Sequence, residues 1–222
     1  KPFNDKKLND PISILTVSNL RQVKNISLII NALPELLKRF KKIKIVCIGD
    51  GNQKKELIEL SKNLDVFDKI SFEGTVDDVD KYYEKADIFV LPSLSEGSSN
   101  SLIEAMNSSI PIIASNVPGI NDMITDKYNG VLIDPKKVTT LIDAITELIT
   151  NNDFRKRISR NGHKYIKENF SLENMIDNHA KIFDLIWNMI IHSKTIITFS
   201  HLDKGHGAFS RHKRMAEALS RK

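Results

Sequence analysis

The sequence has little of what disulfide-stabilised, membrane-spanning or metal-binding proteins need. Its one cysteine, Cys47, cannot form a disulfide within the chain. It lies in the apolar run Ile43–Ile48, which favours a buried residue in a reducing compartment. No run approaches the ~18 apolar residues that cross a bilayer, and no His, Cys, Asp and Glu residues show the spacing of a metal site. We therefore expect a cytoplasmic protein without a metal or other cofactor.

The charge of the chain is mildly positive. It carries 33 Lys and Arg against 28 Asp and Glu, a net charge of +5 over 222 residues. These basic residues are mostly scattered and do not form a concentrated stripe with interleaved aromatic residues, so a nucleic-acid partner is not expected. The charge is compatible with peripheral contact at the inner face of a membrane.

Short apolar runs alternate with amphipathic segments along most of the chain. This alternation predicts an α/β fold with a parallel sheet, in which ligands bind beyond the carboxyl ends of the strands. The predicted strands are Ile12–Val17, Ile43–Ile48, Ile70–Phe72, Ile88–Leu91, Ile110–Ala114 and Gly130–Ile133. The predicted helices are Ser27–Phe40, Gln53–Asn63, Val76–Lys85, Ser101–Met106, Gly119–Ile124, Val138–Thr150, Asp153–Asn169 and Ser171–His192.

The two ends of the chain differ from its middle. Residues 1–11 are polar and irregular and are predicted to be a linker, followed by one domain over residues 12–192. Residues 193–222 contain an apolar run, a Gly205–Gly207 loop and a helical pattern. This order predicts the start of a second, incomplete Rossmann-like unit. The alternative is a βα appendage on the same sheet.

The most informative segment is Glu96–Glu104 (EGSSNSLIE), which follows a predicted strand and runs into a predicted helix. Backbone N–H groups at a helix start bind phosphate well. Carboxylates on either side of the loop can accept hydrogen bonds from hydroxyl groups. The segment therefore indicates a ligand with both phosphates and hydroxyls, such as a nucleotide-sugar.

Over about residues 12–191 the chain resembles the C-terminal, nucleotide-sugar-binding half of a GT-B glycosyltransferase of the retaining family 4 type. The resemblance implies a Rossmann-like parallel sheet flanked by helices. It also implies metal-independent transfer, with retention, of a hexosyl or N-acetylhexosaminyl group from a nucleoside-diphosphate sugar to a hydroxyl acceptor. The motifs that carry it are Val17–Asn25 (VSNLRQVKN), Ile48–Gly51 (IGDG), Phe72–Val76 (FEGTV), Pro92–Gly97 (PSLSEG), Ile103–Met106 (IEAM), Pro111–Ser115 (PIIAS) and Asn129–Ile133 (NGVLI).

The resemblance also implies residue roles. Glu96 and Glu104 match the two glutamates of the family's E-x7-E motif, which face the donor sugar and the ribose hydroxyls respectively. Lys24 matches the lysine that contacts the diphosphate, so Glu96 and Lys24 are the predicted catalytic residues. The other predicted donor-binding residues are Gly49, Gly51, Gly74, Val76, Gly97, Ser98, Ser99, Asn100, Ser101 and Leu102.

The chain departs from the family pattern just before Lys24. The usual Gly-Arg-Leu is Ser18-Asn19-Leu20 here, so Asn19 stands where an arginine normally accompanies the lysine. Arg21 is the candidate replacement, and we include both Asn19 and Arg21 among the donor-binding residues.

The resemblance implies partners as well. The acceptor, a glycan or a lipid-linked glycan of polysaccharide biosynthesis, would bind a missing N-terminal GT-B domain, so this chain is expected to be inactive alone. The helix Ser171–His192 would pack on that domain through an apolar stripe, or on its own domain. Two other functions stay open. The first is a non-catalytic nucleotide-sugar-binding module, and the second is a sugar epimerase, although Glu96 alone offers acid–base chemistry near the sugar.

Overall fold

Six parallel strands form the centre of the first of the chain's two compact units, which are residues 1–174 and 175–222. The computed structural model describes residue 3, residues 7–170 and residues 180–187. The strands are β1 (Ile12–Val17), β2 (Ile43–Ile48), β3 (Ile70–Gly74), β4 (Ile88–Leu91), β5 (Ile112–Ser115) and β6 (Val131–Ile133). The helices are α1 (Ile26–Arg39), α2 (Lys54–Asn63), α3 (Asp80–Lys85), α4 (Asn100–Asn107), α5 (Val138–Thr150) and α6 (Asn152–Asn169). The predicted Rossmann-like parallel sheet flanked by helices is confirmed.

The strand order β3-β2-β1-β4-β5-β6 places the two halves of the sheet on opposite sides of β1. The chain winds outward from β1 through β2 to β3, then returns to the other side of β1 and winds outward again. Loops that leave β1 and β4 therefore diverge at their carboxyl ends and leave a crevice between them. This crevice is the place in the fold where a ligand is expected.

The apolar residues of the strands alternate between two cores. Ile14 of β1 packs on one face of the sheet with residues of α1, α2 and α5, for example Leu33 and Ile145. Leu15 packs on the other face with residues of α3 and α4, including Tyr83 and Leu102. Because both faces are covered, the strands are apolar almost throughout, as is usual for parallel sheets.

Two predicted helices are wrong in part. The predicted helix Val76–Lys85 begins at Asp80, because the residues before it follow an irregular path along the crevice. The predicted helix Gly119–Ile124 is a series of turns. Gly119 interrupts helical geometry there with a φ of +84°. In both places the loop path that shapes the crevice overrides the local helical pattern.

The predicted linker contacts the sheet before β1 begins. The backbone N–H and the side-chain amide of Asn9 both donate to Asp87, which is 2% exposed. The backbone N–H of Ser13 donates to the same carboxylate at 2.8 Å. Asp87 therefore joins the start of β1 to the start of β4 and fixes the two strands that flank the crevice.

Residues 180–187, in the second compact unit, are helical. The predicted apolar stripe includes Ile182, Phe183, Ile186 and Trp187, which are exposed by 47–69%. The rest of the predicted helix Ser171–His192 lies outside the described residues, as do the predicted boundary after residue 192 and the predicted unit 193–222. Within the part of the chain that is described, no helix is long and apolar enough to cross a membrane.

Candidate functional site

A cleft of about 430 Å³ opens at the carboxyl ends of β1, β2 and β4. This volume suits a small-molecule ligand. The cleft lies at the switch point of the sheet, where the strand order predicts a ligand. It is lined by Val17, Ser18, Asn19, Lys24, Ile48, Gly49, Asp50, Thr75, Val76, Val79, Glu96, Ser98, Ser99, Asn100, Ser101 and Glu104.

Lys24 reaches the cleft from a single 3₁₀ turn between β1 and α1. Asn25 ends that turn in the left-handed conformation, with a φ of +54°, and its side-chain amide donates to the carbonyl oxygen of Pro92 at 3.1 Å. The backbone N–H of Leu94 donates to the carbonyl oxygen of Val23 at 2.8 Å. These bonds hold the turn that carries Lys24 against the loop that follows β4.

The centre of the cleft contains an ion pair between Lys24 and Glu96. Lys24 Nζ lies 2.6 Å from Glu96 Oε1, and the hydroxyl of Ser93 donates to the same oxygen at 3.0 Å. The side chain of Glu96 is 7% exposed and that of Lys24 is 21% exposed. Burial of a carboxylate without such partners is unfavourable. An anion that entered the cleft would therefore compete with Glu96 for the ammonium group of Lys24.

The start of α4 forms the wall of the cleft beside this ion pair. Ser99 caps the helix, because its hydroxyl accepts from the backbone N–H of Leu102 at 3.3 Å. The first N–H groups of an α-helix have no acceptor within the helix, and the helix dipole favours negative charge at that end. Ser98, Asn100 and Ser101 also line the cleft. The wall is therefore suited to bind an anion.

Glu104 lies one turn further along α4 and also lines the cleft. The hydroxyl of Tyr83 donates to Glu104 Oε2 at 2.9 Å. Burial, followed by the hydrogen bond to Glu104, raises the pKa of Tyr83 well above its ordinary value. The tyrosine therefore stays protonated at neutral pH and serves as a donor to the carboxylate.

The third wall of the cleft comes from the ends of β2 and β3. Gly49 and Asp50 follow β2, and the Gly49 N–H donates to the carbonyl oxygen of Gly74 at 2.7 Å. Lys54 Nζ lies 3.1 Å from Asp50 and lowers the pKa of that carboxyl group. The apolar side chain of Val76 lies on the same wall. This end of the cleft combines apolar side chains, such as that of Val76, with the carboxylate of Asp50.

The structure brings ten of the predicted site residues into one cleft, namely Asn19, Lys24, Gly49, Val76, Glu96, Ser98, Ser99, Asn100, Ser101 and Glu104. Five others do not line it, namely Arg21, Gly51, Gly74, Gly97 and Leu102. Leu102 is buried in the core, and the Cα of Gly51 packs on the backbone of Leu20. Arg21 is exposed and outside the cleft. Among the described residues, Lys24 is thus the one cationic side chain that lines the cleft.

Sequence reasoning missed several residues that hold the cleft residues in place. Ser93 and Tyr83 bind the two glutamates, and Asn25 anchors the turn of Lys24. Asn25 and Ser93 lie within motifs that the resemblance singles out, so each offered a signal. No sequence motif indicated Tyr83, because the apolar pattern of a helix does not show where a buried hydroxyl group points.

Gly119 was also missed, although it shapes the loop that carries Glu96. A Cβ atom at Gly119 would lie 2.4 Å from the Glu96 carbonyl oxygen and 2.5 Å from that of Gly97. Its φ of +84° is also unfavourable for other residues. A glycine here lets two backbone segments touch and so sets the position of the Glu96 loop.

The sheet order and the cleft at its switch point define a Rossmann-like ligand-binding domain. The chain belongs to the family described as glycosyl transferases group 1, whose model matches residues 1–165. An uncharacterized glycosyltransferase from Methanocaldococcus jannaschii is 29% identical over 184 residues, which are 82% of this chain and 47% of that protein. The chain spans about half the length of the first curated relatives it matches.

Two solved structures show the same fold. The C-terminal domain of a group 1 glycosyltransferase (LpcC) from Francisella tularensis has a TM-score of 0.68 and 28% identity, covering 76% of this chain and 90% of that one. A variant of S. aureus TarM, solved with fondaparinux, alpha-GlcNAc-glycerol and UDP, has a TM-score of 0.73 and 25% identity, covering 82% of this chain and 38% of that one. The resemblance to GT-B glycosyltransferases is therefore confirmed.

Proposed function

We propose that this chain is the donor-binding half of a retaining glycosyltransferase. It would bind a nucleoside-diphosphate sugar and present the hexosyl or N-acetylhexosaminyl group to a hydroxyl acceptor. The observation that carries the proposal is the cleft itself, in which Lys24, Glu96, the start of α4 and Glu104 meet at one end of the sheet. A cation and a helix start suit the diphosphate, and two carboxylates suit hydroxyl groups.

Lys24, Glu96, Glu104 and the start of α4 each have a defined role in this proposal. Lys24 and the first N–H groups of α4 neutralise the diphosphate as it leaves with the electrons of the broken glycosidic bond. Glu96 orients the sugar or stabilises the positive charge that develops at its anomeric carbon. Glu104 accepts hydrogen bonds from the ribose hydroxyls. The UDP in the TarM structure supports uracil as the first base to test.

The rest of the enzyme would supply the acceptor site. Since the chain spans about half of its relatives, an N-terminal domain and a glycan or lipid-linked acceptor remain proposals. Closure of the two halves would exclude water and so favour transfer over hydrolysis. A location at the cytoplasmic face of a membrane, within polysaccharide biosynthesis, belongs to the same proposal.

Titration of the chain with UDP, GDP and ADP tests the donor site. We expect one of the three to bind with a dissociation constant in the micromolar to low-millimolar range, measured by NMR or calorimetry. Glu104→Ala should weaken that binding about tenfold or more, because hydrogen bonds to a charged group contribute ~1.5–3 kcal/mol. Because we expect metal-independent binding, EDTA should leave the dissociation constant unchanged.

The control for this titration is Glu59→Ala. Glu59 lies on α2 outside the cleft, with a side chain that is 65% exposed. The Glu59→Ala variant should bind the diphosphate with the same dissociation constant as the wild type. If none of the three diphosphates binds, the donor-site proposal fails for this chain. If one binds but a protein containing both halves transfers no sugar, the non-catalytic module becomes the better account.

Gly97→Ala tests whether the loop after β4 meets the donor. A Cβ atom at Gly97 would have none of the described residues within 4 Å apart from its chain neighbours, so no described contact requires glycine there. We expect the midpoint of thermal unfolding to stay within about 1 °C, because surface changes of this kind cost little. Binding of the nucleotide-sugar should weaken about tenfold, because the methyl group takes up space beside the cleft. Unchanged binding would show that the donor passes Gly97 at a distance.

A further inference from the structure

Tyr83 lies behind the wall of the cleft and binds one of its carboxylates. It is on α3, has 0% exposure, and packs within the second core, with its ring centroid 6.0 Å from that of Phe89. Its hydroxyl donates to Glu104 Oε2 at 2.9 Å and also lies 3.3 Å from the Ser101 carbonyl oxygen. The shorter distance identifies the glutamate as the main acceptor of its single hydrogen.

The core does not explain this hydroxyl. A phenylalanine would fill the same space, and a buried hydroxyl without a partner is unfavourable. Glu104 is the partner that makes a tyrosine acceptable at position 83. The hydrogen bond also restricts the carboxylate. A glutamate side chain would otherwise sample several rotamers, and the rigid Tyr83 ring holds Glu104 in one of them.

We propose that Tyr83 is the positioning residue for Glu104 and so sets the preference of the cleft for a nucleotide with a free 2′,3′-diol. The inference rests on the proposed function, in which Glu104 accepts from the ribose hydroxyls. The hydroxyl of Tyr83 binds the carboxylate from the core side and leaves its remaining acceptor positions to the ligand. A carboxylate held in advance loses less freedom when the ribose arrives.

The test compares two variants of neighbouring tyrosines. Tyr83→Phe removes the buried hydroxyl and keeps the ring. Tyr82→Phe is the matched control, because the Tyr82 hydroxyl donates to Glu73 on the exposed surface, outside the cleft. Each chain is titrated with the nucleoside diphosphate that the wild type binds and with the 2′,3′-dideoxy analogue of the same diphosphate. NMR titration is suitable because it measures millimolar as well as micromolar affinities.

The expected result is a change in ligand preference. The wild type should bind the ribose form about tenfold more tightly than the dideoxy form. Tyr83→Phe should weaken binding of the ribose form about three- to tenfold and leave the dideoxy form within twofold of wild type. Tyr82→Phe should leave both affinities unchanged.

Other outcomes overturn one proposal or both. If Tyr83→Phe weakens both ligands equally, or neither, Tyr83 does not position Glu104, while the ribose role of Glu104 still stands. If the wild type shows no preference between the two ligands, the ribose role of Glu104 fails, and the inference about Tyr83 fails with it.

A second measurement separates the loss of the Tyr83–Glu104 contact from a general effect of the substitution on the fold. Tyr83→Phe is combined with Glu104→Ala, and the affinity for the ribose form is compared with that of Glu104→Ala alone. If Tyr83 acts through Glu104, the second substitution adds no further loss. A further loss in the double variant would contradict the proposal.

Discussion

Replacing Lys24 with methionine is expected to weaken binding of the nucleoside diphosphate about 100-fold. Among the described residues, Lys24 is the one cationic side chain that lines the cleft, and Asn19 stands where the family pattern has an arginine. In the proposed donor site, the diphosphate would therefore depend on a single side-chain charge and on the start of α4. Hydrogen bonds to charged groups contribute ~1.5–3 kcal/mol, and the upper value corresponds to a factor of about 100. Calorimetric or NMR titration measures the loss.

Glu96→Gln complements that variant, because it removes the negative charge of the same ion pair. Glu96 Oε1 lies 2.6 Å from Lys24 Nζ, so the carboxylate would compete with a phosphate for the lysine. Removing its charge should leave diphosphate affinity unchanged or raise it up to about tenfold. The nucleotide-sugar should not gain in the same way, since Glu96 is proposed to orient the sugar. Equal loss of diphosphate binding in Lys24→Met and Glu96→Gln would show that the ion pair serves the fold instead of the ligand.

Unfolding measurements separate these two roles. Lys24→Met leaves a carboxylate that is 7% exposed without its cation, and the free energy of unfolding should fall by about 1–3 kcal/mol. The double variant Lys24→Met/Glu96→Gln should recover most of that stability, because no buried charge remains unpaired. It should not recover diphosphate binding, because the lysine is still absent.

The strands of the sheet could be predicted because each of them appears in the sequence as a short local pattern. Strands such as Ile88–Leu91 are buried on both faces and appear in the sequence as continuous apolar runs with polar residues at their ends. One helix was predicted to start too early, because Val76 and Val79 before Asp80 line the cleft as a loop. The other was predicted where Gly119 and the residues after it form turns against the loop of Glu96. Propensity is weakest where tertiary contacts decide the backbone.

The cleft residues were predictable for a similar reason. The loop at residues 96–104 is contiguous, and its family motif places both glutamates and the helix start within nine residues. Two contacts of these glutamates come from distant parts of the chain. Tyr83 is 21 residues from Glu104, and Lys24 is 72 residues from Glu96. A single sequence shows no pairing between such positions, so these contacts required the fold.

Gly49→Ala is expected to have the largest effect on stability. Gly49 has a φ of +119°, which side chains rarely tolerate, and a Cβ atom there would lie 2.0 Å from the Ser18 carbonyl oxygen. Strained backbone costs ~1–3 kcal/mol, and forced displacement of packed atoms costs a similar amount. We expect the free energy of unfolding to fall by about 3 kcal/mol or more. Denaturant unfolding measures it, and diphosphate affinity should fall too, because Ser18 and Asn19 line the cleft.

The comparison with Gly97→Ala shows why two glycines with the same predicted role differ. The resemblance assigns both residues to the donor. The backbone of Ser18 requires glycine at 49, whereas no contact within the described part of the chain requires it at 97. Gly49→Ala should therefore lower both stability and binding, and Gly97→Ala should lower binding alone. If Gly49→Ala unfolded like the wild type, the ends of β1 and β2 would have room to separate. The close contact between Gly49 and Ser18 would then not be what shapes this wall of the cleft.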